Sequence, residues 1–374
     1  MPQPPAPRGR GAASNPANRF ERLHLEPDAE ALAGSGTGDA PVPTEYFRDG
    51  ARSVISRNDS PDIPFDASLN PYRGCEHGCI YCYARPYHEY LGLSAGLDFE
   101  TRIFVKEDAP ELLRRELASR SWVPQALALS GVTDPYQPVE RRLQLTRRCL
   151  AVLASCRHPV GVVTKSPLVT RDVDLLRELA SVGAAQVSVS IPTADEALRR
   201  VMEPRAATAE ARFTALARLR EAGIPAGVLV SPVIPGLTDH EVPRVLRLAA
   251  DAGASFAGYT LVRLPHAVGP LFDAWLARHF PDRRERVLSR VRDVRGGRLH
   301  DARFGVRMRG TGTLAEFTAE LFRTTRGRAG IAEASPPLSA AAFRRPGSQP
   351  GLFDEAVPGA CVGGLARLGV EAGG

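Results

Sequence analysis

The chain reads as an α/β protein, a partial (β/α)6 TIM-like barrel with disordered N- and C-terminal tails, on three observations. Between about residues 45 and 328, apolar runs of five to seven residues alternate with amphipathic helical stretches, the pattern of parallel strands joined by crossover helices. Six such units are too few to close an eight-stranded barrel. No G-x-G-x-x-G follows a strand, and Gly310-Thr311-Gly312 lacks the third glycine, so a dinucleotide-binding sheet is not indicated.

Taken in order, residues 1–45 are rich in Pro, Gly, Ala and charged side chains without a sustained period, and are expected to be a disordered arm. Its first residues lack the apolar core of a secretory signal, and no stretch approaches eighteen apolar residues. No membrane span and a cytoplasmic location are therefore expected. One strand enters a cysteine loop near residue 75, and further strands are expected at 126–130, 160–164, 186–191, 226–230 and 256–262. Helical periodicity covers 109–119, 139–156, 172–181, 209–222 and 239–252, with Gly183 and Gly223 as stop signals. The barrel domain is thus placed at 46–328, with a basic helical part from about 269. Residues 329–374 repeat the composition of the arm and are expected to be a disordered tail.

A chain of 374 residues with 43% hydrophobic composition buries a substantial core. Its net charge is +6, carried almost wholly by arginine, since lysine occurs only at Lys106 and Lys165. Residues 278–309 hold eleven arginines against Asp282, Glu285, Asp293 and Asp301, an excess of seven that exceeds the charge of the whole chain. Such a segment is either a polyanion-binding face or a solvated helix laced with ion pairs, and both readings stay open. Six cysteines do not make a disulfide framework here. Cys149 and Cys156 lie in an apolar helical pattern that reads as packing, and Cys361, in a glycine-rich tail, has no assigned role.

The chemistry concentrates in Gly74-Cys-Glu-His-Gly-Cys-Ile-Tyr-Cys-Tyr83. Cys75, Cys79 and Cys82, in CxxxCxxC spacing, can hold three corners of a four-iron, four-sulfur cluster and leave one iron open to a non-protein ligand. The alternative is a structural zinc site. Its nearest fourth ligand is His77, inside the same tight loop between two cysteines, whereas zinc sites draw ligand pairs from separate segments.

With Tyr81 just before the third cysteine, the loop resembles the signature of the radical S-adenosylmethionine (SAM) superfamily. Asn70-Pro71-Tyr72-Arg73-Gly74 resembles the branch related to spore photoproduct lyase, and the likeness runs over roughly residues 45–325. It implies a [4Fe-4S] cluster and S-adenosylmethionine as cofactors. It also implies reductive cleavage to a 5'-deoxyadenosyl radical that abstracts hydrogen, and an electron donor of flavodoxin or ferredoxin type.

Strand ends supply the remaining candidates, because cofactor and substrate meet where strands stop. Ser130, Gly131, Thr133 and Asp134 follow the strand at 126–130, where small residues let carbonyls approach an ammonium group. The resemblance puts the methionine amino group there, and an ordinary Asp-Pro turn is the plainer reading. Lys165 ends the next strand, placed to bind a carboxylate, and matches a lysine contacting the methionine carboxylate in the related enzymes. Ser188 and Ser190 share one strand face, and Ser190 resembles a ribose-binding residue, although small interior packing would also place serines there. The loop 231–236 suits adenine, and Tyr81 is expected at its edge or as a shield of the cluster. Arg205 is in reach of a carboxylate or phosphate.

One departure is plain. The lyase has a donor cysteine where this chain has Gly131-Val132-Thr133-Asp134, so lyase activity on spore DNA is not expected, and Tyr136 is an alternative hydrogen donor. In the tail, Gln349, Leu352 and Phe353 form a Gln-x-x-Leu-Phe match to sliding-clamp docking peptides. Three functions follow: a radical SAM enzyme acting on nucleic acid, one acting on a protein or peptide, or a non-enzymatic iron-sulfur or zinc module.

Overall fold

The computed structural model describes residues 7–21 and 42–347. Its strands are β1 (Glu45–Arg48), β2 (Ile55–Arg57), β3 (Ala67–Leu69), β4 (Tyr72–Arg73), β5 (Arg102–Val105), β6 (Leu127–Leu129), β7 (Val160–Thr164), β8 (Ala185–Ser190), β9 (Ala226–Val233) and β10 (Ala257–Leu261). The main sheet runs β10-β9-β8-β7-β6-β3-β2, and β1, β5 and β4 form a small separate sheet. In the main sheet the pairings β3-β6-β7-β8-β9-β10 are all parallel, and the edge strand β2 is antiparallel to β3; in the small sheet β4 is antiparallel to β5. Six parallel strands with crossover helices make the expected partial barrel.

Burial alternates along β7 and β8 as an inside-outside pattern requires. Val187 and Val189 enter the core with Leu176, Leu179, Leu216 and Leu219 from the crossover helices Val173–Ser181 and Ala209–Glu221. Each such buried side chain contributes about 1.5–3 kcal/mol. The serines between them face the barrel interior, and that places the site. Thr208 caps the helix Ala209–Glu221 by accepting from the Ala211 amide.

The periodicity at 139–156 resolves into two helices, Glu140–Leu143 and Leu145–Ser155, broken at Gln144 with φ 52°. The Glu140 carboxylate accepts from the Thr146 amide at 3.0 Å, capping the second helix from outside it. Helices Glu196–Met202, Val268–His279, Arg284–Asp293 and Thr313–Arg328 complete the fold. No helix among the described residues is long and apolar enough to cross a membrane.

Parts of both expected tails are placed against the fold. Residues 7–21 run as a strap over the cysteine loop, with Ala12 1% exposed. At the other end, the Ala257 amide donates to the Ala332 carbonyl and Phe343 packs edge-on against His158. Specific burial overrides polar composition in both segments. Cys361 and the clamp-like Gln349, Leu352 and Phe353 lie outside the described residues.

The arginine-rich segment is partly committed inside the fold. Arg295 is buried and donates to the carbonyls of Leu261, Val262 and Arg307. Arg284 pairs with Asp273, Arg290 with Asp239, Arg303 with Asp301, and Arg307 with Asp62.

Candidate active site

The cysteine loop lies between β4 and the 3-10 helix Arg85–Leu91, at the C-terminal mouth of the barrel. Backbone and buried side chains fix it. The Cys75 amide donates to the Phe99 carbonyl and the Ile80 amide to the Met202 carbonyl. Gln137 accepts from the Glu76 amide and donates to the Gly74 carbonyl. Arg85, fully buried, pairs with the equally buried Glu100 at 2.5 Å and donates to the carbonyls of Cys79 and Gly96. A buried ion pair is tolerated when its remaining donors are satisfied, as these are. Gly78 is required: its φ is +67°, and a Cβ there would lie 2.7 Å from Glu100.

Cys75 and Cys79 are buried and Cys82 is partly exposed, all three as free thiols. Burial first, then the nearby Glu203 carboxylate, pushes the Cys79 thiol far up, and burial and Cys75 raise Cys82. Among the described residues, no three His, Cys, Asp or Glu side chains group closely enough to hold one metal ion.

Lys165 and Ser190 meet as the strand pattern requires. Lys165 Nζ donates to Ser190 Oγ at 2.6 Å, and Ser190 in turn donates to the Ser231 carbonyl. The ammonium sits 5.9 Å from the Tyr81 ring centroid and 3.7 Å from Glu203. Tyr81 is buried, and its hydroxyl donates to Glu203. Tyr81, Lys165 and Ser190 thus form one group beside the thiols.

The segment after β6 behaves differently. Thr133 donates to the Tyr72 carbonyl and its amide to Asn70, so its polar atoms brace the loop. Asp134 accepts from Thr164 Oγ1, the Lys165 amide and the Tyr136 amide, and lies 3.4 Å from His77. Burial works against its charge, but the His77 imidazolium and these hydrogen bonds hold it at about 2. Asp134 is therefore already saturated, and it positions Lys165 rather than offering free oxygens. Ser130 bonds the Thr133 carbonyl, and the Gly131 carbonyl accepts from Tyr83. Arg205 reaches behind the loop to Glu76 at 3.1 Å, away from the Lys165 group. Tyr136, the candidate hydrogen donor, is 1% exposed, and its hydroxyl donates to Asp172.

Sequence reasoning passed over Glu203 and Arg212. Glu203 is fully buried between Arg212, Tyr81 and Lys165. Burial would raise its pKa, but Arg212 and then Lys165 keep it well below the usual carboxylate range. The same Met202-Glu203-Pro204-Arg205 stretch drew attention to Arg205. Only the fold reveals that its glutamate faces the site.

The radical SAM superfamily model matches residues 69–249. An uncharacterised protein of Mycobacterium tuberculosis is 37% identical over 234 residues, covering 62% of this chain and 68% of that protein. A radical SAM Nalpha-GlyT isomerase of Pseudomonas phage M6 is 28% identical over 215 residues, or 54% of this chain and 42% of that one. Among solved structures, spore photoproduct lyase complexed with dinucleoside spore photoproduct superposes with a TM-score of 0.53 at 14% identity, covering 76% of this chain and 79% of that one. That likeness establishes a shared fold. With the signature loop inside the matched region, the chain belongs to the radical SAM superfamily and is a radical SAM enzyme, using a [4Fe-4S] cluster and S-adenosylmethionine and requiring an electron donor.

Proposed function

We propose that Cys75, Cys79 and Cys82 hold the cluster and that the hydrogen taken by the radical comes from a nucleic acid. The observation that carries the first part is the grouping of three thiols with Lys165, Ser190 and Tyr81 at the strand ends. The donor set fits the cluster. Thiolates are its preferred ligands, and the three come from one short loop rather than from the two separate ligand pairs that zinc sites draw on.

The chemistry such a cluster supplies when bound is one electron to S-adenosylmethionine, which parts into methionine and a 5'-deoxyadenosyl radical. The protein's own residues hold and orient. Lys165 binds the methionine carboxylate, and Glu203, 3.7 Å away, aims that ammonium. Ser190 meets the ribose, and Tyr81 closes the adenine side and excludes water. A flavodoxin- or ferredoxin-type protein in a reducing cytoplasm provides the electron.

Nucleic acid is favoured as substrate by the shared fold with an enzyme seen bound to a dinucleoside and by the basic residue Arg263 at the edge of the mouth. Residues 278–309 add to polyanion contact only through arginines not committed internally. Anaerobically reconstituted, reduced protein should release 5'-deoxyadenosine from S-adenosylmethionine, and Cys79→Ala should abolish it. Lys165→Ala should keep the cluster's absorbance and raise the Kd for S-adenosylmethionine by roughly tenfold or more, as loss of a charge-assisted contact implies. Wild-type-like affinity in that variant would remove Lys165 from the role. A panel of oligonucleotides and peptides, scored by the rise in 5'-deoxyadenosine, selects the substrate.

A further inference from the structure

Beside the cysteine loop lies a cavity of about 220 Å³ that none of these steps uses. Its wall includes Tyr83, Tyr87, Tyr90, Arg263, His300 and Arg307, and no carboxylate lines it. Tyr83 directly follows the third cysteine, and Arg263 follows β10, so the cavity spans the open side of the barrel between its first and last parallel strands.

Two features give it a ligand chemistry. The first is an exposed aromatic ledge. Tyr87 and Tyr90 are 52% and 67% exposed with centroids 6.4 Å apart, and Phe20 from the N-terminal strap packs at a tilt 4.9 Å from Tyr90. Arg19, held by Glu89 at 2.9 Å, lies 4.6 Å above Phe20 and 5.6 Å above Tyr90. Large aromatic faces presented to water in a row are costly unless something covers them.

The second is a positive floor, in which Arg307 is paired with Asp62 and Arg263 is not. The Arg263 guanidinium stacks 4.3 Å from the Tyr83 ring and has neither an ion-pair nor a hydrogen-bond partner among the described residues. Burial, with Arg307 nearby, disfavours its charge. His300 Nδ1 is buried without a hydrogen-bond partner beside it. A half-buried guanidinium without an ion-pair partner and an orphaned imidazole nitrogen, on residues lining one cavity, are what an incoming anion satisfies.

We propose that this cavity and ledge bind an unpaired nucleotide flanking the reacting one, with its phosphate on Arg263 and His300 and its base stacked on Tyr87 and Tyr90. A planar base suits the ledge because stacking on aromatic rings tolerates any base, while the cation takes the backbone. An acidic peptide satisfies the floor but leaves the ledge uncovered. The inference rests on the nucleic-acid reading and is separable from it.

The test is fluorescence anisotropy of a labelled twelve-residue oligothymidylate with cluster-loaded enzyme across a salt series. Replacing both Tyr87 and Tyr90 with alanine should raise Kd roughly tenfold to a hundredfold with an unchanged salt slope. Replacing both with phenylalanine should restore binding. Arg263→Gln should raise Kd and flatten the salt slope by about one phosphate contact. The two alanine replacements should leave 5'-deoxyadenosine formation without substrate unaltered, which also reports that the enzyme is folded. Wild-type binding retained by all variants would overturn the ledge while sparing the nucleic-acid reading. Absence of wild-type binding at low salt would sink both, and equal competition by polyglutamate would show that the floor alone binds.

Discussion

His158 shows how one buried ring sets a pH limit. It is fully buried, its Nε2 accepts from Trp122 Nε1, and its Nδ1 donates to the Pro159 carbonyl. Burial lowers its pKa to about 4 from 6.5, with the Pro159 bond opposing. Between those values the unfolded chain binds the proton that the native state refuses, so stability is full above pH 6.5 and falls as pH drops toward 4. At pH 5 the loss is about 2 kcal/mol from this ring. Urea midpoints at pH 7 and 5 should converge in His158→Asn, and an unchanged gap would remove His158 from the account. Glu203 makes a larger claim: Glu203→Ala leaves Arg212 buried and unpaired and should cost about 3–5 kcal/mol in thermal or urea unfolding. Neither pairing is readable from sequence. Trp122 with His158, or Glu203 with Tyr81, are brought together only by topology. Lys165 and Ser190 were legible because a strand's two-residue period and its end point fix direction without knowledge of partners.

At the scale of elements, the alternation of apolar runs and helical periods yielded all five later strands, since each run is buried on a regular sheet. What escaped has a physical reason. Gln144 breaks a helix that periodicity carries straight through, because the capping carboxylate of Glu140 stabilises a fresh start. The charge excess at 278–309 gave no sign that Asp62, 245 residues away in sequence, takes Arg307. The strap at 7–21 was hidden because it is held by backbone contacts rather than an apolar stripe. The Gly11 and Ala12 amides both donate to Glu100, and a Cβ on Gly11 would lie 1.9 Å from the Gly78 carbonyl. Gly11→Val should therefore unseat the strap: trypsin should cut near Arg10 and Arg19 at least several times faster, with the barrel's circular dichroism unchanged. Equal cutting rates would mean that the strap is not seated there.

At the scale of the molecule, the barrel's main core contains no residue of the strap. Deleting residues 1–21 should leave cooperative unfolding intact while shortening the lifetime of the cluster's absorbance in air, since Ala12 belongs to the apolar group that contains Cys79. The strap also bears on traffic of electrons. It lies flush against the outer turn of the cysteine loop, backbone on backbone at Gly11 and Gly78 and again at Ser14 and Gly96, where no side chain fits between. A reducing protein approaching from that side meets residues 10–14 before it meets sulfur. Each of these close approaches sets a size limit, because a side chain in place of Gly11 or Gly96 would meet backbone at about contact-breaking distance.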